Sequence, residues 1–465
     1  MSFFKDCDVR AKIGLEDGEI CGQKAYRIGM SVGSIINKSS YKYSNTIAVG
    51  GDIRLSTEEL KANLIEGLLH CGSRVIDLGI CSTPYFYYAL EKLNIKNGIM
   101  VTASHNPKEY NGFKFVIGPL PLLKEDILYI EKIYNKNKFI RKKGVLLKAD
   151  LTKDYINEII NLFNYNFSGK VVVDFSNGCN IFYFKKIAEK FIKNINYIND
   201  NPDGNFPGHI PNPAVEKNLT QLAEEVIKTK SVIGIAFDSD GDRVIFLNSA
   251  GKMISNDKML ILLTKYLCLK NKNLIKEKVV CETKSSITIK EELQNFGIEV
   301  IYEKTGHTYI KRRVLIENAL IGAEITGHYF YRFLNGRDDG IITALIVLNM
   351  IVALGKDIIT LSEEIPSYFI TDDIRIRLSP EERIEYFDKV KKDIIKKGFK
   401  TDLNDGIKIY TKDNSWALLR QSITEPLLSL RFEVKDKNNL NWLIDSFLES
   451  VPDLKKIIKN KTSIT

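Results

Sequence analysis

Thr46-Ile47-Ala48-Val49, Arg74-Val75-Ile76-Asp77-Leu78 and Gly98-Ile99-Met100-Val101 are three short runs of β-branched and apolar residues, and Thr57 to Leu69 has a helical pattern. Strand and helix in alternation predict βαβ units and mainly parallel sheets. The alternation starts again at Lys170-Val171-Val172-Val173-Asp174-Phe175. It starts a third time around Lys278-Val279-Val280-Cys281, beyond the turn Asn248-Ser249-Ala250-Gly251. The last hundred residues read differently. Asp373-Ile374-Arg375-Ile376-Arg377 alternates polar and apolar, a helix runs from about Pro380, and Lys408–Tyr410, Trp416–Leu419 and Leu428–Val434 follow as closely spaced strands. Close strands joined by short turns make an antiparallel sheet. The predicted class is α/β: three successive mixed α/β domains (1–147, 148–248 and 249–365) and a C-terminal α+β domain (366–465).

A chain of 465 residues, 44% hydrophobic and 27% charged, can bury a core in several domains. The 67 basic and 58 acidic side chains leave a net charge of +9. The basic excess lies in Lys132–Lys148, in a Lys391–Lys400 helix and in the tail after Asp453. Such runs read as solvated faces, so neither nucleic acid nor membrane is an expected partner. The seven cysteines (7, 21, 71, 81, 179, 268 and 281) are odd in number and lack a CxxC spacing. That pattern argues for reduced thiols in a cytoplasm and against a disulfide framework or a zinc cluster. Met1-Ser2-Phe3-Phe4-Lys5-Asp6 shows no apolar signal region. The uncharged stretch Ile341–Gly355 is shorter than the roughly 20 residues that span a bilayer, and reads as a buried helix.

Chemistry-bearing residues gather where strands end, as sites of open α/β sheets do. Val101 is followed by Thr102-Ala103-Ser104-His105-Asn106-Pro107, which offers an exposed serine as nucleophile or phosphoryl carrier, with Lys114 available to neutralise phosphate. The buried run Val232–Phe237 leads into Asp238-Ser239-Asp240-Gly241-Asp242-Arg243. Spacing by two in an extended segment would put three carboxylates on one side, where they call for a hard cation such as Mg²⁺. A calcium EF-hand is excluded, because position 6 is Arg243 and position 12 is Ser249. Gly322-Ala323-Glu324-Ile325-Thr326-Gly327-His328 offers a carboxylate, a hydroxyl and an imidazole suited to the vicinal hydroxyls of a sugar. Thr305-Gly306-His307 and Thr283-Lys284-Ser285 are similar loop ends. Of five histidines, three (105, 307 and 328) fall in these loops. Arg420-Gln421-Ser422-Ile423-Thr424-Glu425-Pro426 supplies a guanidinium fork and hydroxyls for a phosphate.

Taken in order, these loops resemble the α-D-phosphohexomutase superfamily, in its phosphomannomutase/phosphoglucomutase branch. Asp8-Val9-Arg10 and Gly50-Gly51-Asp52-Ile53-Arg54 are similar to its N-terminal motifs, and the resemblance covers essentially the whole chain. It implies four domains around a central cleft and transfer of a phosphoryl group between O1 and O6 of a hexose, through a 1,6-bisphosphate. Ser104 would be the phosphoserine, and Mg²⁺ would be held by Ser104, Asp238, Asp240 and Asp242. Arg10, His105, Lys114, Arg243 and His328 would be catalytic, with Lys114 and His328 the acid/base candidates. Lys284, His307, Glu324, Thr326, His328, Arg420, Ser422, Ile423 and Thr424 would bind substrate. The chain departs from the family at Cys7 (usually tyrosine), Ala11 (glycine), Thr326 (serine) and Ile423 (asparagine).

The expected partners are small sugar phosphates, in a monomer or dimer. Glu324 and Thr326 would contact the hydroxyls on carbons 3 and 4, shared by glucose and mannose. No residue is identified that reads carbon 2. Three alternatives are a phosphoglucosamine mutase, a metal-dependent sugar phosphatase with Ser104 as nucleophile, and an inactive phosphosugar-binding protein.

Overall fold

In the computed structural model, which describes residues 2–270, 276–422 and 427–462, four sheets follow one another along the chain. The first has six strands in the order Val9–Lys12, Tyr110–Ile117, Asn97–Val101, Thr46–Gly51, Arg74–Ile80 and Val145–Lys148. Thr46–Gly51 runs parallel to both neighbours, and Tyr110–Ile117 turns back antiparallel on Asn97–Val101. The second sheet orders Val244–Asn248, Ile233–Phe237, Phe167–Asp174 and Ile192–Ile198, with Val244–Asn248 antiparallel. In the third, Glu299–Glu303, Lys278–Glu282 and Ile321–Ala323 are parallel, and Tyr329–Tyr331 and Arg337–Asp338 complete it antiparallel. The fourth is antiparallel throughout and centres on Trp416–Gln421 and Leu427–Val434.

The helices begin and end where local chemistry allows. Ser379 caps the helix Pro380–Lys397 and forms a reciprocal box with Glu382. Gly398, at φ +70°, ends it. The expected basic helix through Lys400 therefore stops short, and Lys400 opens a strand, Lys400–Asp402. The uncharged stretch forms the helix Gly340–Leu354, buried as far as Ile351, with Val352 and Leu354 exposed on its last turn.

One continuous apolar core runs through the first three sheets, from Ala48 and Phe86 through Phe184 and Phe237 to Leu345 and Ile365. The fourth sheet closes over a core of its own, from Ile374 to Ile458. It meets the third through a small cluster, Ile287, Trp416 and Leu418. The loops that leave Val101, Phe237, Glu282 and Ala323 bond to one another. No helix among the described residues is long and apolar enough to cross a membrane.

Candidate active site

The serine loop is held from behind by a buried arginine. Arg54 has no exposed side-chain surface, pairs with Asp52 at 3.1 Å and donates to the carbonyls of Ser104, Asn106, Pro107 and Tyr110. Asp52 also accepts from Thr102 Oγ1 at 2.7 Å, and Ser104 N donates to that hydroxyl at 2.8 Å. So gripped, Ser104 sits at φ +48°, in the left-handed region that non-glycine residues seldom enter. The serine expected to be exposed is buried, because its hydroxyl turns onto the acidic loop. Ser104 Oγ donates to Asp238 Oδ2 at 2.8 Å and lies 3.4 Å from His105 Nδ1.

The acidic loop is not the extended segment expected. It is a tight turn, with Gly241 at φ +80° and Asp238 Oδ1 accepting from the backbone of Gly241 and Arg243. A short side chain that bonds its own backbone overrides the two-residue period. The carboxylates of Asp238, Asp240 and Asp242 converge all the same, with one oxygen from each within 4.8 Å of the others. Lys114 Nζ lies 2.7 Å from Asp240 Oδ2 and 2.5 Å from Asp242 Oδ2, and Thr83 Oγ1 donates to Asp240 Oδ2 at 2.6 Å. Burial, and then the charges of Asp240 and Asp242, push Asp238 well above the carboxylate range. Burial opposes ionisation of Asp240 too, but Lys114 outweighs it and holds that group below its usual value. Asp240 Oδ1 and Asp242 Oδ1 are buried without a hydrogen-bond partner among the described residues. Crowded like charges and orphaned hard oxygens fit a divalent cation, Mg²⁺ by donor type.

The sugar loop bonds directly to the acidic loop. Val244 N donates to Gly327 O at 3.0 Å, and Arg243 Nε donates to His328 Nε2 at 2.8 Å. His328 Nδ1 lies 2.7 Å from Asp338 Oδ2. With Arg243 donating to one ring nitrogen, His328 is the neutral tautomer protonated on Nδ1. Burial lowers its pKa, but Asp242 and Asp338 outweigh burial and leave it above the ordinary value. A second proton on this ring therefore requires Arg243 to release Nε2. Glu324 accepts from Gly306 N at 3.0 Å, and Thr326 is half-buried on the same turn. His307 stacks on His328 at 6.0 Å, with a buried Nε2 that has no partner among the described residues.

The remaining expected residues flank this core. Arg10 pairs with Asp8 at 2.6 Å and donates to Asn106 Oδ1 at 3.1 Å. Lys284 lies 3.2 Å from Asp373 and 3.6 Å from Glu282, and Glu282 in turn accepts from Ile325 N. Arg420 faces Asp405, with Nε 3.2 Å from Oδ2. Ser422 N donates to Leu427 O. Ile423 and Thr424 lie outside the described residues. A connected set thus runs from Ser104 through Asp238, Arg243 and His328 to the Glu324–Gly306 contact, and from Thr305 to Asp405 and Arg420. Asp52, Arg54, Thr83, Asp338 and Asp405 join the site without being among the residues expected from the sequence. The Gly50–Arg54 run is a local signal and Asp405-Gly406 is a turn dipeptide, but their partners lie far along the chain.

Four domain models match along the chain. They are phosphoglucomutase/phosphomannomutase alpha/beta/alpha domain I over residues 1–141, domain II over 153–251, domain III over 255–369 and the C-terminal domain over 374–450. A phosphomannomutase/phosphoglucomutase of Pseudomonas aeruginosa is 32% identical over 94% of this chain and 93% of its own. A phosphomannomutase of Vibrio cholerae is 32% identical, with 99% and 98% covered. The solved structure of a phosphoglucomutase/phosphomannomutase family protein from Burkholderia thailandensis superposes with a TM-score of 0.88 at 27% identity, covering 98% of this chain and 97% of its own. By these matches and by the loops that meet at Ser104 and Asp238, the chain belongs to the phosphoglucomutase/phosphomannomutase family of mutases.

Proposed function

We propose that this protein interconverts hexose 1-phosphates and hexose 6-phosphates, of glucose and mannose, through a phosphoserine at Ser104 and a 1,6-bisphosphate. The contact between Ser104 Oγ and Asp238 Oδ2 carries the reading, because it seats a strained hydroxyl against a cation-fitting cluster. Mg²⁺ held by Asp238, Asp240, Asp242 and an oxygen of phosphorylated Ser104 would supply charge neutralisation to the transferring phosphoryl group.

The chain's own residues do the rest. Lys114 and Arg243 bring positive charge to the Ser104–Asp238 side, and Arg10, fixed by Asp8 and Asn106, adds a third cation. The phosphoryl group passes from Ser104 Oγ to the free sugar hydroxyl, whose proton goes to His328 Nε2 once Arg243 releases it; Lys114, the other candidate, stays protonated for as long as Asp240 and Asp242 hold it. The bisphosphate turns over, and its other phosphoryl group returns to Ser104 while the same acid/base pair runs in reverse. Glu324, Thr326 and His307 would hold the sugar ring, and Arg420, Ser422 and Thr424 with Lys284 the far phosphate. Divisions near 147, 248 and 365 give each loop its own domain.

The partners we propose are small sugar phosphates, in a cytoplasmic monomer or dimer; all seven cysteines are free thiols, in keeping with a reducing compartment. A coupled assay with glucose 1-phosphate, mannose 1-phosphate and glucosamine 1-phosphate tests the reading, with Mg²⁺ and glucose 1,6-bisphosphate present. Glucose and mannose substrates should give kcat/KM values within about tenfold, a gap of ~1.4 kcal/mol. Release of inorganic phosphate in place of 6-phosphate would overturn it in favour of hydrolysis, and a clear preference for glucosamine would move the substrate.

A further inference from the structure

Arg420, near the end of the strand Trp416–Gln421, is one member of a buried ion pair. Its Nη2 donates to Asp405 Oδ1 at 3.2 Å while Nε lies 3.2 Å from Oδ2, and the two side chains are 6% and 10% exposed. Among the described residues no other group bonds to this guanidinium: Nη2 is held by a hydrogen bond, Nε lies within ion-pair reach of Oδ2 without one, and the Nη1 side is left. The carboxylate has a second attachment. Asp405 Oδ2 accepts from Thr305 N at 2.9 Å, across the junction between the third and fourth sheets. Gly306, the next residue, donates to Glu324.

The turn that carries Asp405 is fixed as well. Gly406 stands at φ +108°, opposite the strand residue Arg420, and a Cβ there would lie 2.4 Å from Leu419 O and 2.8 Å from Arg420 Cβ. Only glycine fits that approach, which brings the residue before it onto the guanidinium.

We propose that Asp405 is the positioning residue of the substrate-phosphate arginine, holding one edge of Arg420 so that the other faces the phosphate, and tying that arginine to the Thr305–His307 loop. It fixes how far the phosphate end of the site stands from the sugar end. The inference rests on the reading of Arg420 as a phosphate contact. Electrostatics alone gives the opposite expectation, because removing a carboxylate beside a phosphate site removes repulsion. The sign of the effect therefore decides.

Asp405→Asn, Arg420→Ala and the double variant are assayed with glucose 1-phosphate for KM and kcat, with Asp405→Ala as a second variant should the amide disturb the turn. Asp405→Asn should raise KM at least tenfold with kcat within threefold, at an unchanged melting temperature. Arg420→Ala should do at least as much, and adding Asp405→Asn to it should change KM less than twofold further. A KM unchanged or lowered by Asp405→Asn, with Arg420→Ala still damaging, overturns the positioning role alone. Multiplicative losses in the double variant overturn action through Arg420. A KM unaffected by Arg420→Ala overturns the phosphate reading beneath both.

Discussion

Two buried charges show how single residues set the site. Arg54 serves four carbonyls of the serine loop, and no other side chain has the planar fork to do so. Arg54→Lys keeps the charge but leaves buried acceptors unpaired. It should cost about 3 kcal/mol in urea unfolding and at least tenfold in kcat. Asp339 is a second case. It caps the helix Gly340–Leu354 through Ile342 N and accepts from Tyr155 OH at 2.6 Å, and burial pushes its pKa up to about 6. A carboxyl raised from 3.8 in the unfolded chain costs stability as pH rises through that interval, about 3 kcal/mol in full. Asp339→Asn keeps the cap oxygen and the tyrosine bond without the charge. It should be more stable than the parent at pH 8, with the advantage gone near pH 4; equal unfolding free energies at both values would contradict this.

At the scale of elements, the acidic turn depends on a partner loop. Ser176 Oγ donates to Phe237 O, Cys179 N to Ser239 O and Asn180 Nδ2 to Gly241 O, so residues 176–180 hold the turn at three carbonyls. Ser176 and Asn177 are themselves left-handed, at φ +49° and +55°. A Cβ on Gly241 would meet Asn180 Oδ1 at 2.2 Å at a φ of +80°. Gly241→Ala should weaken Mg²⁺ binding at least tenfold by titration while lowering the melting temperature only a few degrees; unchanged affinity would show that the turn does not shape the carboxylates.

These elements also show what was legible in the sequence. The strands ending at Val101 and Phe237, and the loops after them, are local patterns of apolar runs and short polar residues, and they were readable. Thr83, which lies 157 positions from its partner Asp240, was not, because only tertiary packing brings the start of the helix Thr83–Lys92 to the turn. The period-two reading of the three aspartates failed for a local reason: Asp238 bonds its own backbone and Gly241 admits the reversal.

For the whole molecule, the distribution of apolar contact matters most. One core runs through the first three sheets, the first sheet has a second core on its other face, and the fourth keeps its own. The junction between them is largely polar: Lys408 Nζ donates to Thr283 O at 2.7 Å, Arg431 to Lys284 O at 2.7 Å, and Glu433 accepts from Ile287 N at 2.9 Å. Interfaces of that kind open more readily than cores do. Domain motion there would let a bisphosphate turn over without leaving. Calorimetry should resolve two unfolding transitions, with saturating glucose 1,6-bisphosphate drawing them together. One cooperative transition with and without the sugar would argue that the fourth domain does not move independently.

Ser104 is the centre of the account. Intact-mass spectrometry of the purified protein, before and after a chase with glucose 1-phosphate, tests it most directly. The predicted result is one phosphate on the enzyme, located at Ser104 by fragmentation, discharged by the sugar into glucose 1,6-bisphosphate and absent from Ser104→Ala, whose turnover falls by orders of magnitude. Undiminished turnover in Ser104→Ala, or a phosphate on Ser104 that the sugar cannot discharge, would contradict it.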